Sequence, residues 1–352
     1  MSVKPYVSIV LPLYNRADLV EATLYSIIQQ TYVHWEVIVI DDGSQDGSFE
    51  IVQSMAYKDS RIKLYRRNRA PDGAPTCRNI GVEEASGEYV IFLDSDDLLA
   101  PHCIQKRVEE FTNYPKNDFL VFSMLLFHRQ PKDSNILWNI DTGEDDLTRF
   151  LRLDTVWQTA CPMYKTAFLR NTIGFREGLP FWQDVEFHCQ ILLRTPRYKK
   201  LLHIVPDCYY RKHDQASISQ QGFAFKKQLS IKVNIYKKIV LDIIHENKLT
   251  PSRQNAIIAV MFNFSRQLII QQRDKVSAIQ CWGFLKAHHL ITTMHYKLGV
   301  YFLNYLYLHC RSNKKVSIYL LGYKMISMLI LKKHKVIPSK LCQITYKSIS
   351  KV

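Results

Sequence analysis

Asp94-Ser95-Asp96-Asp97 places carboxylates directly after a wholly apolar run, Tyr89-Val90-Ile91-Phe92-Leu93. In an extended segment residues i and i+2 point to the same side, so Asp94 and Asp96 can converge. Converging carboxylates are costly unless a cation or donor groups neutralise them. A hard divalent ion, Mg²⁺ or Mn²⁺, suits such oxygen ligands and keeps open positions for phosphate oxygens. The other reading is an acidic capping turn ahead of Pro101. A second cluster, Asp41-Asp42-Gly43-Ser44, follows Val37-Ile38-Val39-Ile40. It is either a turn in which Gly supplies φ > 0 and Asp or Ser caps the next helix, or an acceptor for the N–H of a base or the hydroxyls of a ribose.

Chemistry at these two places needs a scaffold that brings two strand ends together. The first ~130 residues alternate strands and helices in the βαβ manner. Val7–Leu11, Val37–Ile40, Ile62–Tyr65 and Tyr89–Leu93 read as strands, the second too apolar for one exposed face. Between them, a helix capped by Asn15 carries Val20, Leu24, Ile27 and Ile28. A second helix carries Phe49, Ile51, Val52 and Met55, and a third runs from Thr76 to Ala85. This pattern predicts an open, mostly parallel α/β sheet, whose ligands collect at the carboxyl ends of the strands. From Asp118 the alternation loosens: a strand over Phe119–Phe127, a helix around Leu147–Leu153, a strand near Trp157–Tyr164, a helix over Trp182–Leu193 and a strand near Leu202–Tyr210.

The chain has 352 residues and a net charge of +15, unevenly placed. Residues 1–224 hold 25 Lys+Arg and 29 Asp+Glu, a net of −4, whereas residues 225–352 hold 22 and 3, a net of +19. A mildly acidic body therefore precedes a basic helical region. With 47% hydrophobic residues and 12% aromatics, the chain is neither disordered nor fibrous. Eight dispersed cysteines form no CxxC pair, which argues against a zinc module and a disulfide framework. Met1–Pro5 runs into the first strand without a signal-peptide pattern, and no stretch offers ~18 uninterrupted apolar residues. Val316–Leu331 comes nearest but contains Lys324.

Four segments, in order, resemble the family 2 glycosyltransferases: Val7-Ser8-Ile9-Val10-Leu11-Pro12-Leu13-Tyr14-Asn15, Val39-Ile40-Asp41-Asp42-Gly43-Ser44, Cys77-Arg78-Asn79-Ile80-Gly81, and Ala85-Ser86-Gly87-Glu88 running through to Asp97. The resemblance covers roughly residues 5–220. It implies a GT-A fold, metal dependence with Mn²⁺ or Mg²⁺, and an inverting transfer from a nucleotide sugar, UDP-linked, to a glycan or lipid-linked saccharide in bacterial surface-polysaccharide assembly. By position, Pro12, Tyr14 and Asn15 would line the nucleotide pocket and Asp41 would accept from uracil. Arg78 and Asn79 would sit beside the nucleotide or its phosphates. Asp94, with Ser95 in the same turn, would contact the ribose or sugar side, and Asp96 would hold the metal. Phe181-Trp182-Gln183-Asp184-Val185-Glu186-Phe187 resembles the family's Glu-Asp motif, with Gln183 in place of Glu. That makes Asp184 the base, with Glu186 as fallback on a different helix face. Tyr210-Arg211-Lys212-His213 resembles the stretch that folds over the diphosphate, so Arg211 and His213 become phosphate or metal contacts. Cys77, where the family has Ala, reads as packing, and Arg66, Arg67 and Arg69 read as a solvated loop face.

The predicted domains are a catalytic body, 1–224, divided into a nucleotide half (1–117) and an acceptor half (118–224), and a helical region, 225–352. Lys226-Lys227, Lys237-Lys238, Lys314-Lys315 and Lys332-Lys333 punctuate apolar helical stretches. Such helices suit an anionic membrane surface, at ~1 kcal/mol per basic residue near it. Packing on the body with a solvated lysine face, or self-association, is the alternative. Nucleic acid is disfavoured because the aromatics lie in apolar stripes. A peripheral position at the cytoplasmic face of the membrane is expected. Three rival functions remain weaker. A nucleotidyltransferase would need a Gly-rich basic loop where Pro12–Arg16 stands, and an NAD enzyme would need GxGxxG there. A non-catalytic scaffold would not need Asp94, Asp96 and Asp184.

Overall fold

The computed structural model describes residues 4–138, 140–212 and 225–311. His213 and the stretch 312–352, with Lys314-Lys315, Lys332-Lys333 and Val316–Leu331, lie outside them. The described chain forms two compact units: residues 4–143 with 155–212, and residues 144–154 with 225–311.

The first unit is a mixed α/β body, as the sequence predicts. Its main sheet runs β3 (Ile62–Arg66), β2 (Trp35–Asp41), β1 (Val7–Leu13), β4 (Tyr89–Phe92), β8 (Pro162–Lys165), β6 (Phe119–Phe122), β9 (Tyr198–Leu201). β1 is parallel to both β2 and β4, and β2 is parallel to β3. β8 is antiparallel to β4 and to β6. Every residue of β1, β2 and β4 is buried, which explains why these strands read as continuous apolar runs. Leu13 pairs with Asp41, and Val10 with Phe92. The carboxyl ends of β1, β2 and β4 are therefore neighbours on one edge, and both acidic clusters follow them.

Helices α1 (Val20–Ile28), α2 (Ser48–Lys58) and α3 (Ala74–Glu84) follow the first three strands. Next come β5 (Leu98–Leu99) and α4 (Cys103–Asn113). A small second sheet has β5 antiparallel and β7 (Met124–Phe127) parallel to β10 (Cys208–Arg211). The single strand expected over Phe119–Phe127 is thus two strands in two sheets. The break is at Ser123, whose hydroxyl donates to the Leu202 carbonyl at 2.8 Å. Both halves are fully buried, so hydrophobicity alone carries no sign of the change of sheet. Of the strand expected over Leu202–Tyr210 only the end is strand: β10 takes up Cys208–Tyr210, and β9 closes at Leu201, before the stretch begins.

Asn15 does not cap α1, which begins five residues later. It adopts the left-handed region (φ 49°), and its side-chain oxygen accepts from the Gln45 N–H at 2.9 Å. It ties the β1–α1 turn to the turn after β2. Asn and Asp tolerate this conformation because their short polar side chains bond locally.

The second unit is helical: α5 (Asp146–Leu151), then, after α6 (Thr166–Arg170) and α7 (Gln183–Leu193) of the first unit, α8 (Phe225–His245), α9 (Pro251–Gln272), α10 (Lys275–Ala287) and α11 (Thr293–Arg311). The α5 segment belongs to this unit even though it falls inside the expected acceptor half. Its backbone is held there by the Tyr236 hydroxyl, which donates to the Leu151 carbonyl at 2.7 Å. Thr250 and Asp274 cap α9 and α10 by accepting from the Arg253 and Ser277 N–H groups. Ile257, Met261, Ile269, Trp282, Leu285 and Leu303 are buried, each adding about 1.5–3 kcal/mol of hydrophobic stabilisation. No helix among the described residues is long and apolar enough to cross a membrane.

Candidate active site

Three arginines reach the acidic turn after β4. Arg78, on α3, donates from Nη2 to Asp94 at 2.6 Å and from Nη1 to Gln183 at 3.3 Å. Its guanidinium is buried and lies 5.1 Å from the centre of the Phe175 ring. Gly81 makes this position possible, because a Cβ there would lie 2.2 Å from the Val10 Cγ1 in β1. The glycine lets α3 settle onto the sheet with Arg78 directed to the strand ends. Arg16 contacts Asp96 through Nε at 3.3 Å. Arg211, the last residue of β10, donates its backbone N–H to Asp97 at 2.9 Å and its Nε to the Asp96 carbonyl at 2.9 Å. Asp97 is almost fully buried. Burial, and then the Asp96 and Asp94 charges, raise its carboxyl well above the usual range, while the Arg211 N–H opposes the rise.

The β2 end is arranged differently. Asp41 is buried and accepts from the N–H groups of Gly43 and Ser44 at 3.2 Å. Asp42 accepts from Arg67 Nε at 2.5 Å and from the Gly73 N–H at 2.8 Å. Arg67 is therefore part of the scaffold. Arg69 pairs with Glu83 and Glu177, and Arg66, exposed, covers the Phe49 ring, so the solvated face keeps Arg66 while Arg67 and Arg69 are tied into the scaffold. Burial, and then Asp42, push the Cys77 thiol up to about 12, consistent with packing. Pro12 is buried in β1, whereas Tyr14 stands exposed at the strand ends beside Asn15.

Asp184 sits in the first turn of α7, partly buried, after Trp182 in the left-handed region (φ 54°). A bulky residue rarely adopts this conformation, and such outliers gather at functional sites. Burial raises the Asp184 carboxyl above the ordinary range. The Val185 N–H and Arg78 oppose that rise, and Asp94 adds to it. Glu186 is buried and ion-paired with Arg176 at 2.7 Å. Of the two acidic residues in this motif, Asp184 is the one in the field of Arg78 and Asp94. His188, one turn further on, is buried against Trp157 and Phe187, and burial drives its imidazole down to about 3, so it stays neutral.

The structure thus gathers Arg78, Asp94, Asp96, Asp184 and Arg211 at one edge of the sheet, with Ser95 buried in the same turn. Asn79 faces away from them: it donates to the Phe175 carbonyl and to Glu177, and accepts from the Phe175 N–H, fixing the loop before α7. Arg16, Asp97 and Tyr210 are additions that the sequence reading did not assign. Burial, and then the charges of Asp97, Asp94, Asp96 and Asp184, raise the Tyr210 phenol, and its ring packs 5.1 Å from that of Trp138. Arg16 could have been found as the cation closing the Pro12–Asn15 motif. Asp97 is simply the third acid of its run.

Among the described residues no three His, Cys, Asp or Glu side chains form a cage for a metal. Asp94 and Asp96 nevertheless fit a hard ion that takes one or two protein carboxylates and fills its shell with water and phosphate. Their effect on Asp97 shows a negative potential that a cation would relieve.

A nucleotide-diphospho-sugar transferase (GT-A) fold is defined by this sheet and its acidic edge. Residues 8–170 match the model of Glycosyl transferase family 2. The fold resembles the crystal structure of Staphylococcus aureus TarS 1–349 in complex with UDP-GlcNAc (TM-score 0.63, 19% identity, 94% of this chain and 93% of that one). Among curated relatives, the putative teichuronic acid biosynthesis glycosyltransferase TuaG of Bacillus subtilis (strain 168) is 41% identical over 107 residues, 30% of this chain and 42% of that one. The Escherichia coli UDP-Glc:alpha-D-GlcNAc-diphosphoundecaprenol beta-1,3-glucosyltransferase WfgD is 38% identical over 103 residues, 29% of this chain and 39% of that one. These alignments span less than half the length of either relative.

Proposed function

We propose that the chain transfers a sugar from a nucleotide-diphosphate sugar, most simply UDP-linked, to a hydroxyl of a glycan or lipid-linked saccharide, with inversion at the anomeric carbon. The observation that carries this reading is Asp184: a carboxylate with a raised pKa, beside the Arg78–Asp94 pair and the acidic turn. A general base works best when its pKa approaches the operating pH. Asp184 takes the proton of the acceptor hydroxyl as its oxygen attacks the anomeric carbon. The bond from that carbon to the diphosphate breaks, and the nucleoside diphosphate leaves. A divalent ion, Mn²⁺ or Mg²⁺, held by Asp96 with Asp94, would supply charge neutralisation for the departing diphosphate. Arg211 adds positive charge at the same edge, and His213 would follow it. The base and ribose lie over the ends of β1 and β2, where Tyr14 is exposed, Pro12 and Asn15 shape the turn and Asp41 is fixed. The UDP-GlcNAc complex of TarS and the names of TuaG and WfgD support a nucleotide-sugar donor and a surface-polysaccharide acceptor.

The test is a donor panel: turnover of UDP-, GDP- and dTDP-sugars with Mn²⁺. We expect UDP-sugars to be consumed and the rate to fall to background in chelator. Turnover of none of them would remove the reading.

We further propose that the helical unit attaches to an anionic membrane surface. Among the described residues, Met294, Tyr301 and Leu308 expose an apolar stripe on α11 at seven-residue spacing, with Lys297 on the same exposed face. Sedimentation with anionic liposomes should show binding that falls at high salt; no binding at low salt contradicts it.

A further inference from the structure

Arg16 holds Asp96 more loosely than the other buried arginines of the first unit hold their carboxylates. Arg107 grips Asp207 with two bonds of 2.6 and 2.7 Å, both side chains being almost wholly buried. Arg78 reaches Asp94 at 2.6 Å from a buried position. Arg16 makes one Nε contact at 3.3 Å, with a side chain 20% exposed against a carboxylate 16% exposed. Its backbone, by contrast, is pinned. The Arg16 N–H donates to Ser48 Oγ at 2.7 Å, and on either side the Asn15 N–H donates to Ser44 Oγ and the Ala17 N–H to Asp46. The guanidinium also donates from Nη1 to the Asn15 carbonyl of the same pinned loop, at 3.1 Å. A fixed Cα carrying a partly solvated guanidinium with one long contact to the carboxylate is a pivot: the side chain can change partners without the loop moving.

We propose that Arg16 is an exchangeable counter-ion. Before donor binds, it neutralises Asp96. When a divalent ion takes that carboxylate, Arg16 turns to the diphosphate of the nucleotide sugar. The inference rests on the reading that Asp96 is a metal ligand. The exchange conserves charge at the strand end: Asp96 trades the guanidinium for the ion, and the diphosphate gains a planar guanidinium suited to its oxygens. Arg16 is thus a donor-binding residue of the turn after β1, where the sequence has no Gly-rich phosphate loop.

The test titrates Mn²⁺, read as the free-ion electron paramagnetic resonance signal, into the full chain with and without UDP. Wild type is compared with Arg16→Gln, Arg16→Lys and Asp96→Asn. Without UDP, Arg16→Gln should bind Mn²⁺ about fivefold more tightly than wild type, the size of a partly exposed ion pair that no longer competes. With UDP, Arg16→Gln should bind the Mn²⁺–UDP pair about tenfold more weakly, as expected for a lost charge-assisted bond. Arg16→Lys should fall between the two in both arms. Equal Mn²⁺ binding by wild type and Arg16→Gln without UDP, including no binding by either, overturns the exchange. Unchanged binding of the Mn²⁺–UDP pair overturns the second half of it. If Asp96→Asn binds Mn²⁺ as wild type does, the assignment of Asp96 to the metal fails instead, whatever Arg16 does.

Discussion

Two acidic strand ends lie side by side in the first unit and use their carboxylates in opposite ways. At the β2 end, Asp41 is satisfied by the N–H groups of its own turn, and Asp42 by the Gly73 N–H and Arg67. At the β4 end, Asp94, Asp96 and Asp97 each meet an arginine from a separate element: Arg78, Arg16 and, through its backbone, Arg211. The first cluster is complete before any ligand arrives and serves as a frame. The second brings together carboxylates that repel one another, with charged partners able to serve a ligand. Similar residue types at similar positions thus do different work, and the difference lies in what the fold brings to them.

The contrast can be broken most sharply by activity. Asp96→Ala should lower donor turnover by about 100-fold or more, since neutralisation of the leaving group is lost. Asp41→Asn should weaken nucleotide binding by about tenfold, the cost of one poorer hydrogen-bond partner, with the maximal rate nearly unchanged. Equal losses of rate would erase the distinction.

Stability should divide the other way. Asp42→Ala leaves Arg67 and the Gly73 N–H without their acceptor and should cost about 2–3 kcal/mol in urea unfolding. Asp96→Asn, with a partly exposed partner, should cost less than about 1 kcal/mol. Gly81→Ala should cost about 1–3 kcal/mol through overpacking against Val10. Because α3 carries Arg78, it should also weaken donor binding. A variant as stable as wild type would show that the helix can shift without loss.

The first half of this architecture is readable in the sequence because continuous apolar strands alternate with amphipathic helices. β1 to β4 and both acidic clusters come directly from that pattern. What lies beyond it depends on distant contacts. Nothing local marks Ser123 as a change of sheet, since both sides are equally apolar. Asn15 looks like a helix cap, but its partner is Gln45, 30 residues away. Asp97 and Arg211 meet across 114 residues, and Arg16 and Asp96 across 80. Periodicity carries no information about such pairs. Glu186 and Asp184 could be told apart only once Arg176 was seen to hold the former.

The smallest expected effect is on pH dependence. The Asp97 and Asp184 carboxyls are both raised in the folded chain, so the folded state holds protons that the unfolded state has lost. Stability should therefore fall as pH rises from the ordinary Asp range through the raised values. Asp97→Asn should flatten that slope in denaturant titrations at several pH values. An unchanged slope would show that Asp97 contributes nothing to it. In kinetics the sign is reversed: the base must be ionised, so activity should be lost as pH falls through the raised Asp184 value.

The central claim, that Asp184 is the base acting at the β4 end, meets its most direct test in the single-turnover rate of Asp184→Asn with a saturating UDP-sugar and Mn²⁺. UDP affinity is measured on the same sample. The expected result is a rate lower by about 10²–10⁴-fold, the usual contribution of a positioned base, with UDP affinity unchanged. A rate equal to wild type, or a loss explained entirely by weaker UDP binding, would contradict it.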